Sequence, residues 1–195
     1  KYRLLYNLYF FSFPSNFWGW GYHDGANKDN KSTYLRLQNQ VKFDFLFRLS
    51  HNLYLGPMVS FDYVSGRDFS KPELLHGQEK TTLTTGIGAS ISYDTRDLIT
   101  NAYKGIYVKF EQGIYPSFMG NKYAFYMTDV IVDWYKKIWK GGVIAIDFHS
   151  KFNYGDVPWT MMSRLGGVAH MRGYYEGQYR DNNITELQVE LRQHI

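Results

Sequence analysis

Residues 34–49, YLRLQNQVKFDFLFRL, alternate between two kinds of side chain along their whole length. The odd-numbered positions are apolar except for Asn39. The even-numbered positions include two arginines, a lysine, an aspartate and two glutamines. Because successive side chains of a β-strand point to opposite faces, this segment predicts a long strand with one apolar face and one charged face.

The same alternation returns along the chain, for example in 80–97, where Leu83, Ile87 and Ile91 share one parity. Most of the segments exceed the roughly 9–11 residues that a tilted strand needs to cross a bilayer. The predicted strands are 2–13, 34–49, 52–66, 80–97, 104–117, 122–139, 142–154 and 183–195. We see no helix-forming segment to cover their apolar faces. The pattern therefore predicts an all-β, antiparallel transmembrane β-barrel with lipid outside and a polar lumen inside.

The composition agrees with this interpretation. Aromatic residues make up 19% of the chain, and Tyr and Trp favour membrane–water boundaries. The mean hydropathy of −0.42 and the lack of an apolar run of about 18 residues exclude a helical membrane protein. The chain has no cysteine, which excludes thiolate catalysis and cysteine metal sites. Its net charge of +4 is mild and its charges are interspersed, so no nucleic-acid partner is predicted.

The connections between predicted strands alternate in length. Short turns are expected at 50–51, 97–103 and 140–141, and long loops at 14–33, 67–79 and 155–182, with 119–121 as an exception. Outer-membrane barrels have short periplasmic turns and longer outer loops. We interpret residues 1–195 as a single barrel domain that is incomplete at both ends, because open strand edges cannot face lipid.

Residues 165–174, LGGVAHMRGY, lie in the last long loop. They resemble the signature of the BamA/TamA outer-membrane assembly barrels, also called the bacterial surface antigen family. In that family a long outer loop folds back into the lumen and presents a Val-Arg-Gly-Phe/Tyr tetrad. The tetrad here is Met171, Arg172, Gly173 and Tyr174, with Met in place of the usual Val.

Two further motifs match the same family in the expected order. Asp94, Arg96 and Asp97, followed by Gly105, are similar to its Asp-x-Arg-Asp…Gly turn, although the usual Pro before Lys-Gly is missing. In the strand after the loop, Glu190 matches the position at which the family has an acidic residue facing the loop arginine. The resemblance covers residues 80–195 by motif and residues 1–79 by pattern alone.

Elementary chemistry agrees with pairing Arg172 and Glu190. A guanidinium in a crowded lumen needs carboxylate partners, and Glu190 has the inward parity of its strand. Gly173 is expected to permit a tight turn, and Tyr174 to wedge against the wall. Loss of one partner from a desolvated pair is expected to cost roughly 3–5 kcal/mol, and less in a wet lumen.

The resemblance implies a sixteen-stranded barrel, of which this chain supplies about eight strands, in the bacterial outer membrane. It implies insertion or translocation of proteins without catalysis or a cofactor. The implied partners are outer-membrane lipid and lipopolysaccharide, client outer-membrane or secreted proteins, and accessory lipoproteins.

Two alternatives stay open within the barrel class. One is a barrel that anchors or exports an attached enzyme such as a patatin-like lipase, and the other is a passive porin-like channel. A soluble lipid-binding or nucleic-acid-binding β-protein is the more distant alternative. No Gly-x-Ser-x-Gly, His-Glu-x-x-His or phosphate-loop motif is present, and the six histidines are scattered. We therefore predict no catalytic residues and no metal site.

Overall fold

The computed structural model describes residues 1–193, so the last two residues of the predicted strand 183–195 lie outside the described part. Ten strands and one short α-helix, α1 (Gly21–Ala26), follow one another along the chain. The strands are β1 (Tyr2–Phe17), β2 (Ser32–Ser50), β3 (Leu53–Arg67), β4 (Thr81–Asp94), β5 (Gly105–Tyr115), β6 (Phe125–Trp139), β7 (Gly142–Gly155), β8 (Ser163–Arg164), β9 (Arg180–Asp181) and β10 (Asn183–Gln193). Three single-turn 3₁₀ segments lie in the loops (Lys28–Asn30, Pro72–Leu75 and Ser117–Met119).

Eight of these strands form one antiparallel sheet in the order β1-β2-β3-β4-β5-β6-β7-β10. Within residues 1–193, β1 pairs only with β2 and β10 only with β7, so the sheet is an open half-barrel. The two-residue strands β8 and β9 pair with each other inside the loop that connects β7 to β10. The predicted all-β antiparallel architecture is confirmed. The small β8–β9 ribbon was not predicted.

The exposure of apolar and polar side chains on the two faces of the sheet is the reverse of that in a water-soluble protein. On β2, Phe45 is 46% exposed, whereas its neighbour Asp44 is 2% exposed. The same inversion holds on β4, where Ile87 and Ile91 are exposed and Ser90 is buried. Because exposed apolar surface is stable only beside an apolar medium, the outward face is suited to lipid and the concave face to a polar lumen.

The lumen side of β2 and β5 carries a compact charge network. Lys109 Nζ lies 2.9 Å from carboxylate oxygens of both Asp44 and Glu111. Lys42 Nζ contacts the other oxygen of Glu111 at 2.8 Å. Burying an ionised group is tolerable only when it has a partner of opposite charge, and here each of these charges has one. This pairing explains how charged residues occupy the buried face.

Strand bounds differ from the predictions mainly at the loop ends. β1 extends to Phe17 and β2 begins at Ser32, so the loop predicted at 14–33 is shorter and contains α1. β6 begins at Phe125 rather than at residue 122. The side chain of Asn121 explains this difference, because it bonds to the backbone N–H and C=O of Thr85 on β4 at 2.7 and 2.8 Å. These bonds hold Asn121 against β4, so that residues 122–124 belong to the loop before β6.

Apolar packing is concentrated at the end of the sheet where the long loops lie. Two buried clusters form there, and both include residues of the segment 157–162 in the β7–β10 loop. Among the described residues, Trp159 is the largest fully buried side chain, and its ring meets those of Phe17, Tyr34 and Phe69 in edge-on contacts. The loop therefore completes a hydrophobic core together with apolar side chains of the strands. Among residues 1–193, no helix is long and apolar enough to cross a membrane.

Candidate functional site

The β7–β10 loop, residues 156–182, enters the concave side of the sheet. It leaves β7 and returns to β10 at the long-loop end, beside Asn183. Its tip reaches Glu190, seven positions further along β10. At about 3.3 Å per residue this is a descent of roughly 23 Å along the strand. The loop therefore occupies the lumen side of the wall.

Buried polar contacts fix the upper part of the loop. The Trp159 N–H donates to the side-chain oxygen of Gln78 at 2.6 Å, and its indole Nε1 donates to the Glu79 carbonyl at 2.9 Å. Arg180 Nη1 donates to the Trp159 carbonyl at 2.9 Å, with its guanidinium over the rings of Phe17 and Trp159. Burial lowers the pKa of Arg180 to about 9, so the guanidinium remains charged at neutral pH.

At the loop tip, Arg172 Nη2 donates a hydrogen bond to Glu190 Oε1. The same Oε1 accepts from Gln188, and Oε2 accepts from Arg192 Nε and Nη2 at 3.1 and 2.9 Å. The Arg172 side chain is 60% exposed and that of Glu190 is 25% exposed. Glu190 therefore pairs with two arginines at once, one from the loop and one from its own strand.

The other residues of the tetrad form a tight turn at the loop tip. The Tyr174 N–H donates to the Met171 carbonyl at 3.0 Å, which closes a four-residue turn with Gly173 in its third position. The left-handed backbone conformation falls on Met171, with φ of 43°, and Gly173 does not have a positive φ. The Tyr174 ring contacts Tyr179 of the same loop at 6.2 Å, whereas we expected it to wedge against the strand wall.

The β4–β5 turn contains the second motif. Asp94 and Arg96 form a two-pronged ion pair, with Nε–Oδ1 and Nη2–Oδ2 distances of 3.0 Å. Arg96 also lies 3.8 Å from a carboxylate oxygen of Asp133 on β6, and 4.3 Å above the ring of Tyr107 on β5. A planar guanidinium suits this combination of paired hydrogen bonds and ring stacking. Arg96 thus connects three neighbouring strands.

Asp97 and Gly105 shape the same turn. Asp97 Oδ1 accepts hydrogen bonds from the backbone N–H groups of Leu98, Tyr103 and Lys104. Desolvation acts to raise the pKa of Asp97, but these backbone donors outweigh it, and the pKa lies below its usual value. Gly105 has φ of 114°, and a Cβ there would lie 2.5 Å from the Thr95 carbonyl oxygen. Glycine is therefore required at this position.

A cavity of about 380 Å³ lies between the loop tip and groups on the wall that Arg96 contacts. Arg172 and Glu190 line it from the loop and β10, and Asp133 and Tyr107, which both contact Arg96, line it from the wall. Tyr107 and Arg172, which are 65 positions apart in the chain, therefore bound the same space. Strand alternation predicts which side chains face the lumen, but this convergence depends on the path of the loop.

The sequence prediction missed a second polar group beside the loop tip. His149 on β7, His170 on the loop and Glu186 on β10 lie together, and the two imidazole rings stack with centroids 4.5 Å apart. His149 contacts Asp129 and Glu186, and His170 contacts Asp147. The sequence signal that could have indicated this group is that His149 and Glu186 both have the inward parity of their strands. The structure shows that these strands are neighbours and that the two residues lie directly opposite each other.

An exposed apolar outer face, a charged inner face and a long loop docked inside define the wall of an outer-membrane-type β-barrel. A family model described as the Omp85 superfamily domain matches residues 1–195. The chain belongs to the Omp85 superfamily. The predicted family, which includes BamA and TamA, is thus confirmed.

A solved structure supports the same fold. The chain is similar to the crystal structure of BamA from Haemophilus ducreyi lacking POTRA domains 1–3, with a TM-score of 0.61 and 13% sequence identity. The match covers 97% of this chain and 41% of that one, so the chain spans less than half the length of the matched structure. No curated protein matches the sequence at a significant level.

Proposed function

We propose that this chain forms part of an outer-membrane barrel that assists the insertion or translocation of proteins without chemical catalysis. Membership of the Omp85 superfamily supports the proposal. The observation that carries it is the contact of Arg172, at the tip of the lumen loop, with Glu190 on the barrel wall. This contact ties the loop to β10 at a level deep in the lumen, where a docked loop can close the bore or support the wall.

The proposed setting follows from the two faces of the sheet. The exposed apolar side chains of β2, β4 and β10 suit outer-membrane lipid, including lipopolysaccharide, and the protein is proposed to reside in the bacterial outer membrane. We propose that residues 1–195 belong to one barrel domain with further strands. The outer edges of β1 and β10 would otherwise leave backbone groups unpaired in lipid, at several kcal/mol for each group.

The proposed partners are unfolded outer-membrane or secreted proteins, with accessory lipoproteins as further candidates. An arriving β-strand can add to an exposed sheet edge through main-chain hydrogen bonds, whatever its side-chain sequence. A process of this kind needs binding and positioning but no bond-breaking chemistry. The proposal therefore assigns no catalytic residue and no cofactor to the assembly function.

Reconstitution in lipid vesicles tests the proposal. The full chain is placed in vesicles, a urea-unfolded outer-membrane protein is added, and its folding is followed by the heat-sensitive shift of its gel band. We expect faster client folding than in empty vesicles, and loss of most of this gain with Arg172→Ala. Arg48→Ala is the matched control, because Arg48 is an exposed arginine at the opposite, short-turn end of β2, and its side chain bonds to Ser50 and His51 beside that turn.

Two results would contradict the proposal. Client folding no faster than in empty vesicles would contradict the assembly function. Ion conductance that survives Arg172→Ala, without any gain in client folding, would support a passive channel instead.

A further inference from the structure

The group formed by His149, His170 and Glu186 has the composition of a metal site. One ligand atom from each residue can be chosen so that all three lie within 4.8 Å of one another. The Glu186 side chain is almost fully buried, and those of His149 and His170 are largely buried. The three residues come from β10, β7 and the lumen loop, so they converge from three separate segments.

The hydrogen bonds around the two imidazoles leave one nitrogen of each available to this group. His149 Nε2 is held by Asp129 Oδ1 at 3.1 Å, and its Nδ1 faces Glu186 Oε2 at 3.0 Å. His170 Nδ1 is held by Asp147 at 3.0 and 3.1 Å, and none of residues 1–193 hydrogen-bonds to its Nε2. Metal-binding histidines almost always donate their other N–H to a carboxylate or carbonyl in this manner, because that bond fixes the ring and its tautomer.

From this arrangement we infer that the lumen loop and the wall share a site for a divalent transition-metal ion of the zinc class. The ligands are His149 Nδ1, His170 Nε2 and Glu186 Oε2, and a water takes the fourth position. Two imidazoles and one carboxylate are a ligand set that zinc uses when one position stays open. On binding, the ion takes the place of the proton shared between His149 and Glu186, and that proton leaves to solvent.

The distances require only a small rearrangement. Ligand atoms about 2.1 Å from a tetrahedral ion lie roughly 3.4 Å from one another. The pair of His149 Nδ1 and Glu186 Oε2, at 3.0 Å, already meets this spacing. The remaining contraction falls on His170, which lies on a loop and follows two glycines, Gly166 and Gly167, with positive φ. The wall can therefore stay fixed while the loop residue approaches.

Some charged side chains near the site favour a bound cation and others disfavour it. Lys151 and Arg164 line the same cavity, of about 280 Å³, and disfavour a cation there. Arg164 is itself paired with Glu176 at 2.9 Å, which reduces its effect. Three carboxylates, from Asp129, Asp147 and Glu186, contact the two imidazoles directly. These contacts favour a cation at the site, because Coulomb energy is largest at short distance.

Occupation of the site would have a consequence for the loop tip. His170 directly precedes the tetrad that contains Arg172, and the ion would join it to both β7 and β10. A bound ion would therefore hold the tip against the wall independently of the contact between Arg172 and Glu190. The metal site stands on its own geometry and does not depend on the proposed assembly function.

Metal titration of the full chain in detergent micelles tests the inference. We expect Zn²⁺ to bind with one equivalent by calorimetry, and Co²⁺ to give the strong visible absorption of a four-coordinate ion. His170→Ala should weaken Zn²⁺ binding by at least about tenfold, and Asp147→Asn, which removes the support of His170, by about 10–100-fold. His51→Ala is the matched control, because His51 lies in the β2–β3 turn, away from the site, and this variant should bind Zn²⁺ like the wild type.

The variants are chosen so that the result can be read even if one of them folds poorly. Glu186→Gln removes a ligand from a wall strand, whereas His170→Ala changes only the loop and spares the sheet. Lack of one-equivalent Zn²⁺ binding would overturn the inference. Binding in which His170→Ala and the wild type have equal affinity would overturn it as well.

Discussion

Arg172 and Glu190 are 18 positions apart in the chain and meet inside the lumen, where Glu190 is also held by Arg192. This arrangement makes the two members of the pair unequal. Removal of Arg172 leaves the glutamate with a second arginine, whereas removal of the Glu190 charge leaves two arginines without their shared anion. The same contact also joins the loop tip to the wall, so its structural and functional effects can be separated.

Arg172→Ala is expected to change stability only slightly. The Arg172 side chain is 60% exposed, and exposed ion pairs contribute about 0–1 kcal/mol because water screens them. This is below the roughly 3–5 kcal/mol for a desolvated pair, since the Arg172 side chain is accessible to solvent. Glu190→Gln should cost more. Urea unfolding in micelles measures both variants, and a larger loss for Arg172→Ala than for Glu190→Gln would contradict this ranking.

Gly105→Ala is expected to destabilise the β4–β5 turn. The backbone at Gly105 has φ of 114°, and the new Cβ would lie 2.5 Å from the Thr95 carbonyl oxygen. Strain of this kind costs on the order of 1–3 kcal/mol. Gly173→Ala is the control, because no atom lies within 4 Å of a Cβ there, and its change should be within about 0.5 kcal/mol. Equal unfolding midpoints for the two variants would disprove the requirement for glycine at position 105.

Brominated lipids are expected to distinguish the outer face of the sheet from the loop core by their quenching of tryptophan fluorescence. Trp134 lies on the outward face of β6 and is 36% exposed, whereas Trp159 is 1% exposed and packed inside the loop core. Bromine on acyl chains quenches only indoles that it can contact. In single-tryptophan variants, Trp134 should therefore be quenched strongly and Trp159 hardly at all. Quenching of Trp159 as strong as that of Trp134 would contradict the assignment of the outer face.

Acidification is expected to loosen the β4–β5 turn. The pKa of Asp97 is lower in the folded turn than its usual value of about 3.9, so its carboxylate stabilises the turn above that pH. This contribution falls as the pH drops through the lower, folded pKa. NMR shifts of the Leu98 and Tyr103 amides should follow this titration, because both N–H groups donate to Asp97. In Asp97→Asn the acid-side change should vanish, and its persistence would assign the effect to another group.

Several features of this protein follow from local sequence alone. The alternation of residues 34–49 is enough to predict a strand and to predict which of its faces meets lipid and which meets the polar lumen. Neighbouring side chains of a strand necessarily point to opposite sides. Two of the turn motif's residues, Asp94 and Arg96, are close enough in sequence to pair wherever the turn lies. These conclusions needed no knowledge of strand partners.

Other features depend on which segments the fold brings together. The pairing of β10 with β7 sets Glu186 directly opposite His149, and the descent of the loop brings His170 beside them. The core around Trp159 likewise depends on contacts between distant loops. Sequence alone determined the faces of the strands that alternate clearly, since alternation is a property of neighbouring residues. Only the tertiary structure decided which inward groups meet, because strand register and the path of the loop are set by contacts far apart in the chain.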